Sequence, residues 1–199
     1  MIRAIIFDLS DVCFNEEESP FIKEFAKKYG LDFIEFEKRY TELLHKAENN
    51  VITGKEIWRK ILPEYGLNLD VGKIIEEMID GKIAHQETLD FVKKLRRKYK
   101  TAFFTNYNED YWRLIEKRFD LEEYFDMGLV SYQFGARKPA IRGFEYLLKE
   151  LAVRPEEAAF TDDKAGNLEE PGKLGIHTIQ FKNVTELLRS LRVLGVSVE

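Results

Sequence analysis

The sequence predicts an α/β fold, a doubly wound parallel sheet carrying an all-helical insertion after its first strand. Three observations predict it. Short apolar runs recur along the chain, helical patterns separate them, and one long stretch shows no strand pattern.

The first run, Ala4-Ile5-Ile6-Phe7, is continuously apolar, as expected of a strand covered on both faces by helices. Residues 101–105, 127–131, 158–161 and 176–180 supply further strands. Between them, apolar side chains recur at spacings of three and four, which lays one stripe of a helix against a core. Phe91, Leu95 and Tyr99 mark one such helix, Tyr111, Leu114, Ile115 and Phe119 another, and Phe144, Leu147, Leu148 and Leu151 a third. Strands alternating with helices of this length imply right-handed crossovers.

Residues 15–85 break that rhythm. Phe21, Phe25 and Tyr29 form one helical stripe, and Phe33, Phe36, Tyr40, Leu43 and Leu44 form the next. Thr53, with Glu56 three residues on, has the capping-box pattern before Ile57, Trp58, Ile61 and Leu62. Asp70 is placed to cap a further helix through Ile74, Ile75, Met78 and Ile79. The expected division is a core of residues 1–14 and 86–199 with a helical cap of residues 15–85. The cap would hang over the carboxyl ends of the strands, where α/β sheets bind ligands. Tyr40, Trp58 and Arg59 are its candidates to face a ligand.

With 44% hydrophobic and 34% charged residues among 199, the composition is that of a globular protein. A formal net charge of −5 gives no electrostatic footprint for nucleic acid. The apolar start is too short for a signal peptide and no run reaches membrane-spanning length, so the chain is expected in the cytoplasm with no membrane partner. The single cysteine, Cys13, cannot form an internal disulfide and reads as a packing residue. His45, His85 and His177 lack metal-ligand spacing, and Gly54-Lys55 lacks the flanking residues of a phosphate-binding P-loop.

The chemistry-bearing residues sit where the strands end. Asp8 follows the first strand, Thr105 and Asn106 close the second, Lys138-Pro139 follows the third, and Asp162-Asp163 closes the fourth. Parallel strands bring these groups to one edge. Neighbouring carboxylates repel, and a hard divalent cation such as Mg²⁺ relieves that repulsion. Cation, lysine and helix N-termini together form a receptor for phosphate, against which a carboxylate is a credible nucleophile.

In that order, the four clusters resemble the motifs of the haloacid dehalogenase (HAD) superfamily with a helical, C1-type cap and a Rossmann-like core. The segment Val51-Ile52-Thr53-Gly54-Lys55-Glu56-Ile57-Trp58 is similar to one found in a sugar-phosphate phosphatase-like branch. The resemblance implies a Mg²⁺-dependent phosphatase that hydrolyses a small-molecule phosphomonoester through an aspartyl-phosphate. Asp8 would be the nucleophile and a metal ligand, with the Ser10 backbone carbonyl, Asp162 and Asp163 completing the metal set. Thr105 and Lys138 would be catalytic, and Ser10 and Asn106 would bind substrate. In one respect the sequence departs from the pattern: the family's usual second Asp is Ser10 here, which removes its general acid/base. Two alternatives therefore stay open, a 2-haloacid dehalogenase-like hydrolase and a catalytically weak binding or regulatory protein. The paired acids speak against the first, and Ser10 supports the second. Neither the physiological substrate nor a choice between monomer and dimer follows from the sequence.

Overall fold

The computed structural model describes residues 1–15 and 18–197. Glu16 and Glu17 of the expected cap, and Val198 and Glu199 at the end of the expected core, lie outside the described residues. After β1 (Ala4–Phe7) come four helices, α1 (Glu18–Tyr29), α2 (Phe33–Glu48), α3 (Gly54–Glu64) and α4 (Val71–Asp80). The chain then alternates: α5 (Gln86–Leu95), β2 (Lys100–Thr105), α6 (Glu109–Arg118), β3 (Met127–Val130), α7 (Ser131–Phe134) and α8 (Ile141–Glu150). It ends with β4 (Ala158–Asp162), α9 (Glu169–Leu174), β5 (His177–Gln180) and α10 (Val184–Val193). The strands form one parallel sheet in the order β3-β2-β1-β4-β5.

Alternation along β1 divides the interior in two, because successive side chains point to opposite faces. Ile5 and Phe7 join a core with Val92 and Leu95 of α5, Ile115 of α6 and Leu187 of α10. Ala4 and Ile6 join the other, with Phe144, Leu147 and Leu148 of α8. The α1–α4 helices extend the first core, so Phe36, Trp58 and Ile75 belong to the same buried cluster as Phe7 and Phe103.

Both sequence caps in the insertion form. Thr53 Oγ1 accepts from Glu56 N at 3.1 Å while Glu56 Oε2 accepts from Thr53 N at 2.8 Å, and Asp70 Oδ1 accepts from Gly72 N at 2.9 Å. Strand ends differ slightly from expectation. Ser131 does not extend β3 but opens α7, because its hydroxyl is committed to the Tyr107 backbone: Oγ accepts from Tyr107 N and donates to Tyr107 O, both at 3.1 Å. Ile176 likewise precedes β5, and Tyr99, Phe119 and Leu151 fall just past the helices whose stripes they continue.

The insertion is docked on α6. Trp58 Nε1 donates to Tyr111 Oη at 3.0 Å, and Lys55 N donates to Asp110 Oδ2 at 2.9 Å. Where α3 begins, the Asn108 side chain lies so close that a Cβ on Gly54 would be 2.2 Å from Asn108 Oδ1. That oxygen caps α6 by accepting from Tyr111 N at 3.1 Å. Gly54→Ala is therefore expected to lower stability by about 1–3 kcal/mol, through overpacking and a displaced cap. Thermal unfolding checks this; an unchanged or higher Tm would contradict it. The two connections to the insertion pair with each other, with Asn15 N donating to Ile83 O at 3.0 Å and His85 N to Cys13 O at 2.8 Å. No helix among the described residues is long and apolar enough to cross a membrane.

Candidate active site

Sheet register assembles the site. Phe7 pairs with Phe103 on one side and Thr161 on the other, so Asp8 and Asp162, the next residues along β1 and β4, lie side by side. Asp8 N donates to Thr161 O at 2.9 Å, which carries the ladder one residue past β1. Lys138 reaches the same point from the loop between α7 and α8. Its Nζ lies 2.7 Å from Asp8 Oδ1 and 2.6 Å from Asp162 Oδ2, with all three side chains buried. The lysine's own backbone is held by β2's end, where Asn106 Oδ1 accepts from Lys138 N at 2.7 Å.

Burial disfavours a charged Asp8 and pushes its pKa up to about 7; Lys138 opposes that shift and neighbouring Asp162 adds to it. For Asp162, burial also favours the neutral acid. The charge of Lys138, with hydrogen bonds from Lys138, the Lys164 backbone and Asn167, outweighs burial and holds the acid below its usual range. Those bonds are short: Lys164 N to Oδ1 is 2.9 Å, and Asn167 Nδ2 reaches both carboxylate oxygens at 3.0 Å. Asp163 is raised, mainly by burial, against the opposing charge of Lys164.

One carboxylate oxygen from each of Asp8, Asp162 and Asp163 lies within 4.8 Å of the others. Asp163 Oδ1 is buried with no hydrogen-bond partner among the described residues. A converging all-oxygen donor set with an orphaned carboxylate oxygen fits a hard divalent cation. Thr105 Oγ1 is also buried without a partner, an arrangement that suits a donor awaiting an acceptor.

Above this cluster is a cavity of about 450 Å³ between the strand ends and the insertion. Of the expected site residues, Asp8, Ser10, Thr105, Asn106 and Lys138 line it, and Asp162 and Asp163 join through the carboxylate cluster. From the insertion, Tyr40 lines the cavity, whereas Trp58 is buried behind it and Arg59 is exposed elsewhere. Ser10 does not stand alone: its Oγ lies 2.8 Å from Tyr107 Oη, another cavity-lining group. Cys13 is a buried free thiol whose pKa is raised by burial.

Sequence reasoning passed over Tyr107, Glu48, Arg137 and Asn167. Asn167 left a signal in its five-residue offset from Asp162, and Arg137 in its place beside Lys138. The other two left none, since an aromatic reads as core and a glutamate at a helix end reads as solvated.

Comparisons with known proteins bear on the family and the fold. The chain is similar to a D-ribitol-5-phosphate phosphatase of Bacteroides thetaiotaomicron, 24% identical with 98% of each chain covered. It is similar to a phosphorylated carbohydrates phosphatase of Thermotoga maritima, 28% identical over 89% of this chain and 84% of that one. Among solved structures, a HAD family enzyme from Bacteroides thetaiotaomicron in a magnesium complex superposes with a TM-score of 0.82 at 26% identity, covering 94% of this chain and 98% of that one. The wild-type form of that enzyme, in complex with magnesium and inorganic phosphate, gives 0.81 at 25% identity, covering 95% and 100%. The sequence pattern of the haloacid dehalogenase-like hydrolases matches residues 2–169, most of the chain, and the protein belongs to that family of hydrolases.

Proposed function

We propose that this hydrolase is a Mg²⁺-dependent phosphatase that cleaves a small phosphomonoester, a sugar phosphate or similar, through an aspartyl-phosphate on Asp8. The observation that carries the reading is the buried Asp8–Lys138–Asp162 chain, with Asp163 and the unpartnered Thr105 hydroxyl beside it. Relatives that act on phosphorylated carbohydrates, and one crystallised with magnesium and phosphate, support it.

Asp8, Asp162, Asp163 and the Ser10 carbonyl would hold the ion. Bound there, Mg²⁺ supplies positive charge for the phosphoryl oxygens and offsets repulsion among the carboxylates. An Asp8 oxygen attacks phosphorus, the P–O bond to the leaving group breaks, and the leaving oxygen keeps the electron pair. Lys138 neutralises charge on the nucleophile and the transferring group, while Thr105 and Asn106 hold its oxygens. Water then attacks phosphorus in the Asp8 acyl phosphate, the P–O bond to the carboxyl oxygen breaks, and inorganic phosphate leaves as the free carboxylate is restored. At position 10 the hydroxyl offers no carboxyl proton for the leaving oxygen, so poor leaving groups depart slowly. The helices of residues 15–85 act as the cap that walls the cavity from water. The acidic cluster favours this cation-assisted route over metal-free halide displacement.

Mg²⁺-dependent hydrolysis of p-nitrophenyl phosphate, followed by a screen of phosphorylated metabolites with EDTA controls, tests the proposal. Purified protein that cleaves no phosphate ester would end it. A pH dependence follows as well. With Asp8 pushed up to about 7, proton and cation compete for the same oxygen below that pH. Apparent Mg²⁺ affinity is expected to weaken by about tenfold per pH unit below 7. Calorimetric titration reads this directly, and a flat affinity between about pH 5.5 and 8 would contradict it.

A further inference from the structure

We infer that Arg137 is a specificity residue that reads hydroxyl or carbonyl oxygens on the leaving group of a bound phosphomonoester. The inference rests on the phosphatase reading above and adds the chemistry of the substrate's other end.

Arg137 lines the cavity next to Lys138 and is gripped from the insertion at two points. Its Nε donates to Glu48 Oε2 at 2.7 Å, and its backbone N donates to Asn49 Oδ1 at 3.1 Å. The Glu48 side chain is 7% exposed and that of Arg137 33% exposed, so the carboxylate is the hidden anchor and the guanidinium faces outward. Among the described residues, Nη1 and Nη2 of Arg137 have no hydrogen-bond partner. A planar fork fixed through Nε at the cavity wall thus holds its terminal donors already oriented, which lowers the ordering cost of binding.

Charge decides which ligand atoms suit it. Lys138, Thr105 and the carboxylate cluster already converge on the phosphoryl position. Arg137 is neutralised by a buried Glu48, so it is a weak receptor for a second anion but a full donor to neutral oxygens. Glu18, Ser19, Glu37 and Thr41 line the insertion's side of the same cavity. Their carboxylates and hydroxyls can accept from the hydroxyl protons of a group whose lone pairs meet Arg137. A polyhydroxylated leaving group satisfies both walls.

The test compares kcat/KM for p-nitrophenyl phosphate with that for D-ribitol 5-phosphate, D-ribose 5-phosphate and glycerol 1-phosphate, in wild type, Arg137→Lys and Glu48→Gln. Lysine keeps the charge and loses the fork. Arg137→Lys is expected to cost about 30-fold on the best of the three hydroxyl-bearing phosphates and about threefold on the nitrophenyl ester. Glu48→Gln keeps an acceptor for Nε and is expected to show the same bias, more weakly. Equal losses on both substrate classes would place Arg137 on the phosphoryl group or behind Lys138 and overturn the inference, as would no loss on either. Wild type that cleaves the nitrophenyl ester and none of the three hydroxyl-bearing phosphates would also overturn it. Wild type that cleaves neither class would instead overturn the phosphatase reading.

Discussion

Asp8→Asn is expected to cost roughly 10⁴-fold or more in kcat on any phosphate ester while leaving the protein folded. An amide is a poor nucleophile toward phosphorus, and the carboxylate beside it on the sheet edge is already engaged. Asp162 is tied to Lys138, Lys164 and Asn167. Folding survives for reasons the same geometry supplies. Asn matches Asp in shape, and burial already disfavours charge at this position. Lys138 keeps its 2.6 Å contact to Asp162 Oδ2, so the lysine is not left as a lone buried charge. Without metal, Tm should move little. The stabilisation that added Mg²⁺ gives the wild type should shrink in the variant, because a ligand of the ion is gone. Steady-state kinetics with thermal unfolding in EDTA and in Mg²⁺ separates these effects. Retention of more than about a tenth of wild-type turnover would remove Asp8 from its role.

Lys138→Met is expected to damage both activity and fold. The lysine is the buried cation between two buried carboxylates, and its removal leaves Asp162 an uncompensated buried charge while Asp8, already pushed up to about 7, is driven to take up a proton. Removing one partner of a buried ion pair costs about 3–5 kcal/mol. Urea unfolding in EDTA near neutral pH should show a loss of that order. Mg²⁺ should restore part of it by supplying the missing positive charge, and it should do so more strongly than in the wild type. Turnover should not return with stability, since the cation cannot also take the lysine's place against the transferring phosphoryl group. Unchanged stability of the variant in EDTA would mean that Asp8 and Asp162 do not share a charge deficit.

Much of this site was legible in the sequence because each part is local. A strand that is apolar at every position and stops at an aspartate announces itself, and so does an acidic pair after Ala158-Ala159-Phe160-Thr161. Parallel pairing then does the rest, since strands in register must bring their carboxyl ends to one edge. The capping box at Thr53 was legible for the same reason, its donors and acceptors being three residues apart. What the sequence hid depends on contacts between distant segments. Glu48 and Arg137 are 89 residues apart, Ser10 and Tyr107 97 apart, and no periodicity joins them. Position 10 shows the difference plainly. In the sequence Ser10 is only a missing carboxylate; in the fold it is a hydroxyl held by a buried tyrosine on the cavity wall. Cap positions were equally opaque. Tyr40, Trp58 and Arg59 look alike as candidates, and helix packing alone puts the first on the cavity, the second behind it and the third outside.

An aspartyl-phosphate on Asp8 can be trapped chemically. Protein turning over p-nitrophenyl phosphate in Mg²⁺ is quenched in acid, digested and analysed by mass spectrometry. A phosphoryl group is expected on the peptide that contains Asp8, absent when EDTA replaces Mg²⁺ and absent in Asp8→Asn. A fully active protein that carries phosphate on another residue, or reaches the same rate and phosphoryl occupancy without metal, would contradict the Mg²⁺-dependent route through Asp8.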